Sequence, residues 1–479
     1  MYRIRMCFIP LIILILSSVL FCACAEQPCP GSERCGRDNC YWCTPMDITD
    51  ENRVWEMLCA PITVIKGDQK SQYLLRSRPD KKSEPVAEVT YASQGVHVLE
   101  DMGNGWTRVE TRSSSFADSV VHVYNELVTG YVETALLTQV QPNNTNYAIV
   151  IDKMTQRLYV FRDGHLFSTL LCSTGYGTKA KPYNETQSGD FLIVSPVGDF
   201  PSDNLICEMG LRFNRGNLLH QVPYIQKDDY INWDTCEKAL GTKASHGCVR
   251  VQRKLTPEGV NMKWLWNMRK MNSRLVIWED CPGRNIAFPD KNLPVYINPN
   301  GGKTYHRASV CDGVASRYLP LTQVSYSDLL CEPYNALTPC PYCVPEIRPE
   351  TCMELNEKYA LSRPVYTDEY DGLYYHWNAF CSSLPADFLP LTLHYEDELS
   401  KPALSFLKPC PECVEKARNP VLYYNPLGGK YYHSKNDCAY VNKRYLPLTE
   451  FRYDELDDET FHSLKPCPRC NPPDRNAFD

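Results

Sequence analysis

After Asn292 one unit recurs three times. The segments "PVYINPNGGKTYHRASVC", "PVYTDEYDGLYYHWNAFC" and "PVLYYNPLGGKYYHSKNDC" align, and each leads to "LPLT" and then to "TPCPYC", "KPCPEC" or "KPCPRC". Each copy keeps one His and three Cys at the spacing H-x4-C-x28-C-x2-C. The sets are His306, Cys311, Cys340, Cys343; His376, Cys381, Cys410, Cys413; and His433, Cys438, Cys467, Cys470. Such self-similarity means a string of like modules, here at 294–348, 364–418 and 420–475. A unit of about 55 residues has little core of its own and needs a staple. Parity separates the two staples on offer. Copies two and three hold three cysteines each, so a disulfide within a copy strands a thiol. A tetrahedral zinc site takes all three sulfurs and the recurring histidine. Structural zinc is therefore expected, in closed sites with no open position for chemistry. Cys331, additional in the first copy, and Cys352, just after it, are expected to pair with each other.

The other end of the chain sets the compartment. Arg3 and Arg5 precede the apolar "CFIPLIILILSSVLF", and "ACA" ends at Ala25 before Glu26. Charge, apolar core and small residues make 1–25 a signal peptide, with two alternatives: an uncleaved membrane anchor, since the run approaches the length of a span, and a lipid on Cys24. An exported, envelope or extracellular protein follows, and thiols there tend to oxidise. The chain has 24 cysteines, so a free thiol or a metal site has to compete with disulfides. The 50 basic and 57 acidic side chains give a net charge of −7, with no basic block. Nucleic acid is not an expected partner.

Between these ends the pattern is mainly β. Residues 26–59 hold Cys29, Cys35, Cys40, Cys43 and Cys59 among few apolar residues, and read as a small stapled segment. Residues 60–140 alternate short strands ("APITVI", "VAEVTY", "GVHVLE", "WTRVE", "VVHVYN") with turns such as "MGNG", the pattern of a small barrel. "QVQPNNTN" reads as a linker. In 146–281, "YAIVID", "RLYVFRDGHLFSTLLC" and "GDFLIVSP" are strands, with Asp163-Gly164 as a hairpin turn. One main helix is expected to start with Thr256 as N-cap and Pro257 in its first turn, followed by the strand "RLVIWED".

Inside that domain "GTKASHGCVRV" sets Cys248 beside Gly247, His246 and Ser245. A nucleophilic cysteine needs a base to form thiolate and donors for an oxyanion. Small neighbours leave backbone N–H groups accessible. His246 would share a face with Cys248 in an extended segment, but at roughly 6–7 Å, too far for a direct bond. His165 follows a turn and is expected to be exposed. His220, at the end of the apolar stretch "GNLLHQVP", remains as the base by elimination. On residue types alone a structural cysteine, bonded to Cys172, Cys207 or Cys236, stays open beside the nucleophile.

The ordered blocks "IVIDKMTQRLYVFRDGHLFSTLLCSTG", "TQSGDFLIVSP", "LLHQVP", "LGTKASHGCVRV" and "LWNMRKMNSRLVI" resemble the YkuD-type L,D-transpeptidase catalytic domain over 146–281. The resemblance implies Cys248 as nucleophile, His220 as its base, and the Gln221 carbonyl as the group orienting the imidazole. His246 and Ser245 would shape the pocket, the N–H groups of Gly247 and Cys248 would hold the oxyanion, and Arg250 would meet a substrate carboxylate. The implied substrates are peptidoglycan stem peptides, with no cofactor for catalysis. Three departures stand out. Gln221 occupies a position often held by Gly, "TQSG" replaces a Thr-Pro-x-Gly turn, and a longer segment separates His220 from Ser245, expected to form a loop over the pocket. "LLRSRPD", "GVHVLEDMGNGWTRVE" and "TGYVETALL" resemble a bacterial SH3-like domain at 60–140. The C-terminal copies resemble the small zinc module of Ada-type repair proteins, with His in place of one Cys.

Three functions follow in order. The first is an exported L,D-transpeptidase that makes 3→3 cross-links, with L,D-carboxypeptidase activity when water is the acceptor. The second is a catalytically weak wall-binding protein that uses the SH3-like domain and the repeats. A redox protein using its C-x2-C pairs comes third, because those pairs follow polar loops rather than the strand of a thioredoxin unit.

Overall fold

A computed structural model describes residues 39–68, 71–227, 229–367, 372–384 and 391–478. The leader 1–25, Cys29 and Cys35 lie outside the described residues. The molecule is mainly β, and no described helix is long and apolar enough to cross a membrane.

The first sheets come from β1 (Ile62–Ile65), β2 (Tyr73–Arg76), β3 (Pro85–Val89), β4 (His97–Asp101), β5 (Trp106–Ser114), β6 (Tyr124–Glu133) and β7 (Leu137–Val140). Five of them form an antiparallel sheet in the order β3-β2-β6-β5-β4, and β1 pairs with β7. Leu75, Ala87, Val89, Val109 and Val132 fill the core between them. "VVHVYN" is not a strand of its own. Pairing with β5 begins only at Tyr124 and runs to Glu133.

The central sheet uses β8 (Ala148–Asp152), β9 (Arg157–Arg162), β10 (His165–Ser173), β11 (Gly189–Ile193), β12 (Ser195–Ser202), β13 (Leu205–Asn214) and β14 (Asn217–Gln221). The short β15 (Ile225–Gln226) and β16 (Ile231–Asn232) pair with each other, and β17 (Val249–Val251) and β18 (Ser273–Trp278) complete the set. Nine strands lie in the order β11-β18-β8-β9-β10-β17-β14-β13-β12. Asp163 and Gly164 both take positive φ, 52° and 92°, as the tight hairpin between β9 and β10 requires.

Strand β8 shows why this sheet reads as a continuous apolar run. Its side chains alternate between two faces, and both are covered. Ile149 and Ile151 join the core that contains Met262 and Leu265. Ala148 and Val150 join Val54, Met57 and Leu58 of a helix, α1 (Glu51–Cys59), on the other face. The segment before residue 60 is therefore not only a stapled loop. Its C-terminal part is an amphipathic helix, capped by Asp50, whose side chain accepts from Arg53 N, and the central sheet supplies the apolar surface it needs.

One further expectation needs correction. The main helix starts later than Thr256. Thr256 to Val260 form a turn, in which Gly259 has φ +74°, and α3 (Met262–Met268) is capped by Asn261, which accepts from Trp264 N; the brief α2 (Asp234–Glu237) precedes it. The "QVQPNNTN" linker is tied down. Asn144 donates to Leu58 O at 2.8 Å and Asn146 to Met268 O at 2.7 Å.

The first two C-terminal copies build the same small sheet: in the first, Thr322–Ser325, Pro294–Ile297, Thr304–His306 and Thr338–Pro339 lie side by side, and the second repeats this order. In the third the same segments form two two-stranded pairs joined by a bridge between Tyr423 and His433. The first copy also docks on the central domain. Arg307 forms a bidentate pair with Glu258 at 2.8 and 2.7 Å, and Gln252 Nε2 approaches Tyr342 O at 3.4 Å. Cys331 and Cys352 are not bonded to each other: both are free thiols, one exposed and one buried.

Candidate active site and metal clusters

Cys248 ends a loop that leads into β17, which runs parallel to β14. The register pairs Leu219 with Val249 and His220 with Arg250. Leu219 and Val249 are core residues, so alternation puts Leu218, His220, Cys248 and Arg250 on the opposite face. None of Cys172, Cys207, Cys236 and Cys248 is in a disulfide. The structural-cysteine alternative for Cys248 therefore has no bond to support it.

His220 is buried, and its Nδ1 lies 2.7 Å from Gln221 O. A carbonyl only accepts, so Nδ1 carries the proton and Nε2 holds the lone pair. Burial, aided by the Arg250 charge and opposed by that hydrogen bond, lowers the His220 pKa to about 4. The imidazole is thus neutral near pH 7. Phe200 meets it edge-on, with ring centres 5.4 Å apart. Burial also pushes the Cys248 thiol up, while Leu218 N–H, Arg250 and Arg212 pull it down. The sulfur accepts from Leu218 N at 3.4 Å. Thiol and imidazole make no hydrogen bond to each other. The resting pair is neutral, not a thiolate–imidazolium.

The loop that presents Cys248 is over-determined. Thr186 Oγ1 accepts from Gly175 N at 2.6 Å and donates to Gly247 O at 2.8 Å. Gly247 has φ +120°, and a Cβ there would fall 2.5 Å from Asn217 Oδ1. Gly247 N–H donates to Ser245 Oγ at 3.2 Å, and Ser245 Oγ donates to Cys248 O. In this arrangement the Gly247 N–H therefore has a partner within the loop. Below the loop, Lys243 bridges Glu185 at 2.8 Å and Asp280 at 2.6 Å, and the buried Lys153 pairs with the same two carboxylates. His246 is exposed, as is His165. Arg250 is half-buried and pairs with no described carboxylate, so its guanidinium remains available to an anionic ligand.

The departures in the motif have local causes. Gln221 Nε2 donates to Glu208 Oε2 at 2.7 Å, tying β14 to β13. Gln187, where a proline is usual, donates to Arg112 O at 2.8 Å and so joins this domain to the preceding one. The segment after His220 forms the β15–β16 hairpin. Tyr224 packs on Trp233 with ring centres 4.6 Å apart, and Arg253 lies 4.7 Å above the Trp233 ring. Leu218 N–H, Thr186 and Asn217 were not named from the sequence, because only tertiary contacts bring them to the loop of Cys248.

All three repeat clusters converge: in each, the four donor atoms lie within 4.8 Å of one another. Sulfur pairs are 3.7, 3.7 and 3.9 Å apart in Cys311–Cys340, Cys381–Cys410 and Cys438–Cys467. The last Cys of each set lies 3.6 Å from its histidine Nδ1. Two sulfurs on one tetrahedral zinc are separated by about 3.8 Å, and sulfur and nitrogen by about 3.6 Å, from Zn–S and Zn–N bonds of about 2.3 and 2.05 Å. A disulfide needs about 2.05 Å. The donor sets fit the ion and not the bond.

Comparison with known proteins bears on the central domain. No curated protein matches the chain. An L,D-transpeptidase from Xylanimonas cellulosilytica is 23% identical over 28% of this chain and 62% of its own, with a TM-score of 0.20. One from Stackebrandtia nassauensis is 24% identical over 30% and 60%, with a TM-score of 0.20. One from Mycobacterium smegmatis is 14% identical over 45% and 99%, with a TM-score of 0.23. The chain thus spans about 60% of the length of the first two. The stretch that carries Cys248, His220 and Arg250 is the one that a family model matches: residues 146–277 match the YkuD family, the L,D-transpeptidase catalytic domain.

Proposed function

We propose that this protein is an exported peptidoglycan L,D-transpeptidase. The observation that carries the reading is the presentation of His220 by β14 and of Cys248 at the entry to the adjacent, parallel β17, with His220 Nδ1 held by the Gln221 carbonyl. Nε2 of the neutral His220 takes the Cys248 thiol proton as the sulfur attacks the carbonyl between the third stem residue and the terminal D-residue. His220 returns that proton to the departing D-amino acid, and a thioester remains on Cys248. An amine of a neighbouring stem then attacks the thioester and forms the 3→3 link, while water in its place gives carboxypeptidase turnover. The Cys248 N–H is the loop donor for the oxyanion, and Arg250 binds a substrate carboxylate through its planar fork. Because the resting thiol is protonated, proton transfer accompanies attack, and substrate must bring thiol and imidazole together.

The C-terminal copies are read as three structural zinc modules. The donor spacings support this, and four protein ligands leave no position for substrate. The sheets of 60–140 are read as an SH3-like module that holds the wall beside the active site.

The test is mass spectrometry after incubation with a carbapenem, which mimics the acyl donor. The Cys248 peptide should gain the drug's mass, and purified muropeptides should yield 3→3 dimers. Cys248→Ala should do neither. Labelling that persists in Cys248→Ala, or absence of dimers with wild-type protein, removes the proposal.

A further inference from the structure

Thiols and an imidazole meet at one more place, far from the repeats in sequence. Cys40 and Cys43, spaced C-x2-C, share their surroundings with His97 of β4, and the three donor atoms lie within 4.8 Å of one another. Cys43 Sγ is 3.4 Å from His97 Nε2, close to the separation of about 3.6 Å for sulfur and nitrogen on one zinc. The turn matches those of the repeats. Thr44 N donates to Cys40 O at 3.0 Å, just as Val344 N, Val414 N and Asn471 N donate to Cys340, Cys410 and Cys467 O at 3.0, 2.9 and 3.0 Å. In each case the N–H four residues on closes the loop and turns both sulfurs to one side.

The histidine is prepared as a ligand. His97 is fully buried, and its Nδ1 lies 3.2 Å from Oε1 of Glu110, itself 1% exposed. The carboxylate accepts from Nδ1–H, which leaves the Nε2 lone pair on the sulfur side. A carboxylate behind a metal-binding histidine fixes its tautomer and raises its basicity. Trp42 stacks on the His97 ring, 9° from parallel.

We propose that Cys40, Cys43 and His97 bind one zinc ion, with Glu110 orienting the imidazole. Binding displaces the two thiol protons to solvent. The described residues supply three of the four tetrahedral ligands, and water can take the fourth. Two thiolates and an imidazole suit zinc among the common divalent ions.

The position of the site indicates its role. Just before His97, Gly95 N donates to Asp190 O at 2.7 Å, and Leu192 N donates to Ser93 O at 2.8 Å. These bonds attach the first domain to the β11 edge of the central sheet. Tyr41, between the two cysteines, reaches Ile277 O of β18 at 3.5 Å. The ion would therefore fasten the chain before α1 across the seam between the two domains.

The test uses the full-length protein. Zinc per chain should fall by about one equivalent in Cys40→Ser/Cys43→Ser, whatever the repeats hold. Glu110→Gln should keep the ion but weaken it by about 10- to 100-fold in a chelator titration. Hydrogen exchange of the wild-type protein covers the case of a misfolded variant. Stripping the metal should speed exchange in peptides spanning 39–46 and 93–99, and zinc alone should restore protection. Equal zinc in variant and wild type overturns the proposal. So does a Cys40–Cys43 disulfide in the native peptide map, or exchange in 39–46 that ignores chelator and zinc.

Discussion

The depressed pKa of His220 makes a sharp kinetic prediction. A base works only when unprotonated, so the acid limb of Cys248 acylation reports the His220 pKa. An unperturbed histidine titrates near 6.5. Burial against Phe200 and beside Arg250 lowers His220 to about 4. At pH 5.5 a histidine of pKa about 6.5 would be about 9% neutral, whereas one of pKa about 4 is about 97% neutral. The structure therefore expects nearly full acylation at pH 5.5, about tenfold more than a solvated base would allow. The assay is the pseudo-first-order rate of carbapenem adduct formation on intact protein between pH 3.5 and 8, read by mass spectrometry with folding checked at each pH. The rate should fall with a midpoint near 4. His220→Gln should lower the plateau by roughly 10²–10⁴-fold and abolish the limb. A midpoint near 6.5 would refute the buried, neutral His220, and a His220→Gln plateau near wild type would assign the base elsewhere. The same shift acts on stability. A base whose folded pKa is depressed contributes fully above the unfolded value and loses that contribution as pH falls from about 6.5 to about 4, by about 3 kcal/mol for this buried group.

Other consequences follow from particular contacts. Gly247→Ala puts a Cβ 2.5 Å from Asn217 Oδ1 at φ +120°. It should cost about 10²-fold in acylation rate by displacing Cys248 while circular dichroism stays unchanged. Iodoacetamide should label Cys248 slowly at pH 7 and faster through an alkaline midpoint, because burial raises the thiol pKa; a plateau extending below pH 6 would mean a resting ion pair. Cys410→Ser should lower zinc content by about one ion per chain, and elemental analysis that finds no change would argue against a metal in the second repeat. Asp50→Ala removes the cap bond to Arg53 N and should destabilise α1 by about 1 kcal/mol, seen as faster hydrogen exchange in residues 51–59.

The sequence by itself determined what depends on spacing. The three His/Cys sets were legible because H-x4-C-x28-C-x2-C recurs, and one strand pair plus one turn carries each set to a point. The Asp163-Gly164 hairpin was legible because two positive φ values need those residues. The order of blocks in the chain points to Cys248 and His220 as candidates. It does not show what surrounds them. Leu218 N–H meets the Cys248 sulfur only because β14 lies parallel to β17, a pairing across about 30 residues that leaves no local pattern. The start of α3 moved from Thr256 to Met262 because Gly259 turns the chain first. Helix α1 was missed because its apolar stripe of Val54, Met57 and Leu58 is short, and its partners, Ala148, Val150 and Val276, lie far along the chain. The pairing of Cys40 and Cys43 with His97 was invisible for the same reason, since 54 residues separate Cys43 from its ring. Tertiary structure also decided the protonation of the site. A histidine's residue type places its pKa near 6.5; only burial against Phe200 and beside Arg250 keeps the His220 imidazole neutral, against the opposing pull of the Gln221 carbonyl, which in turn leaves the free lone pair on Nε2.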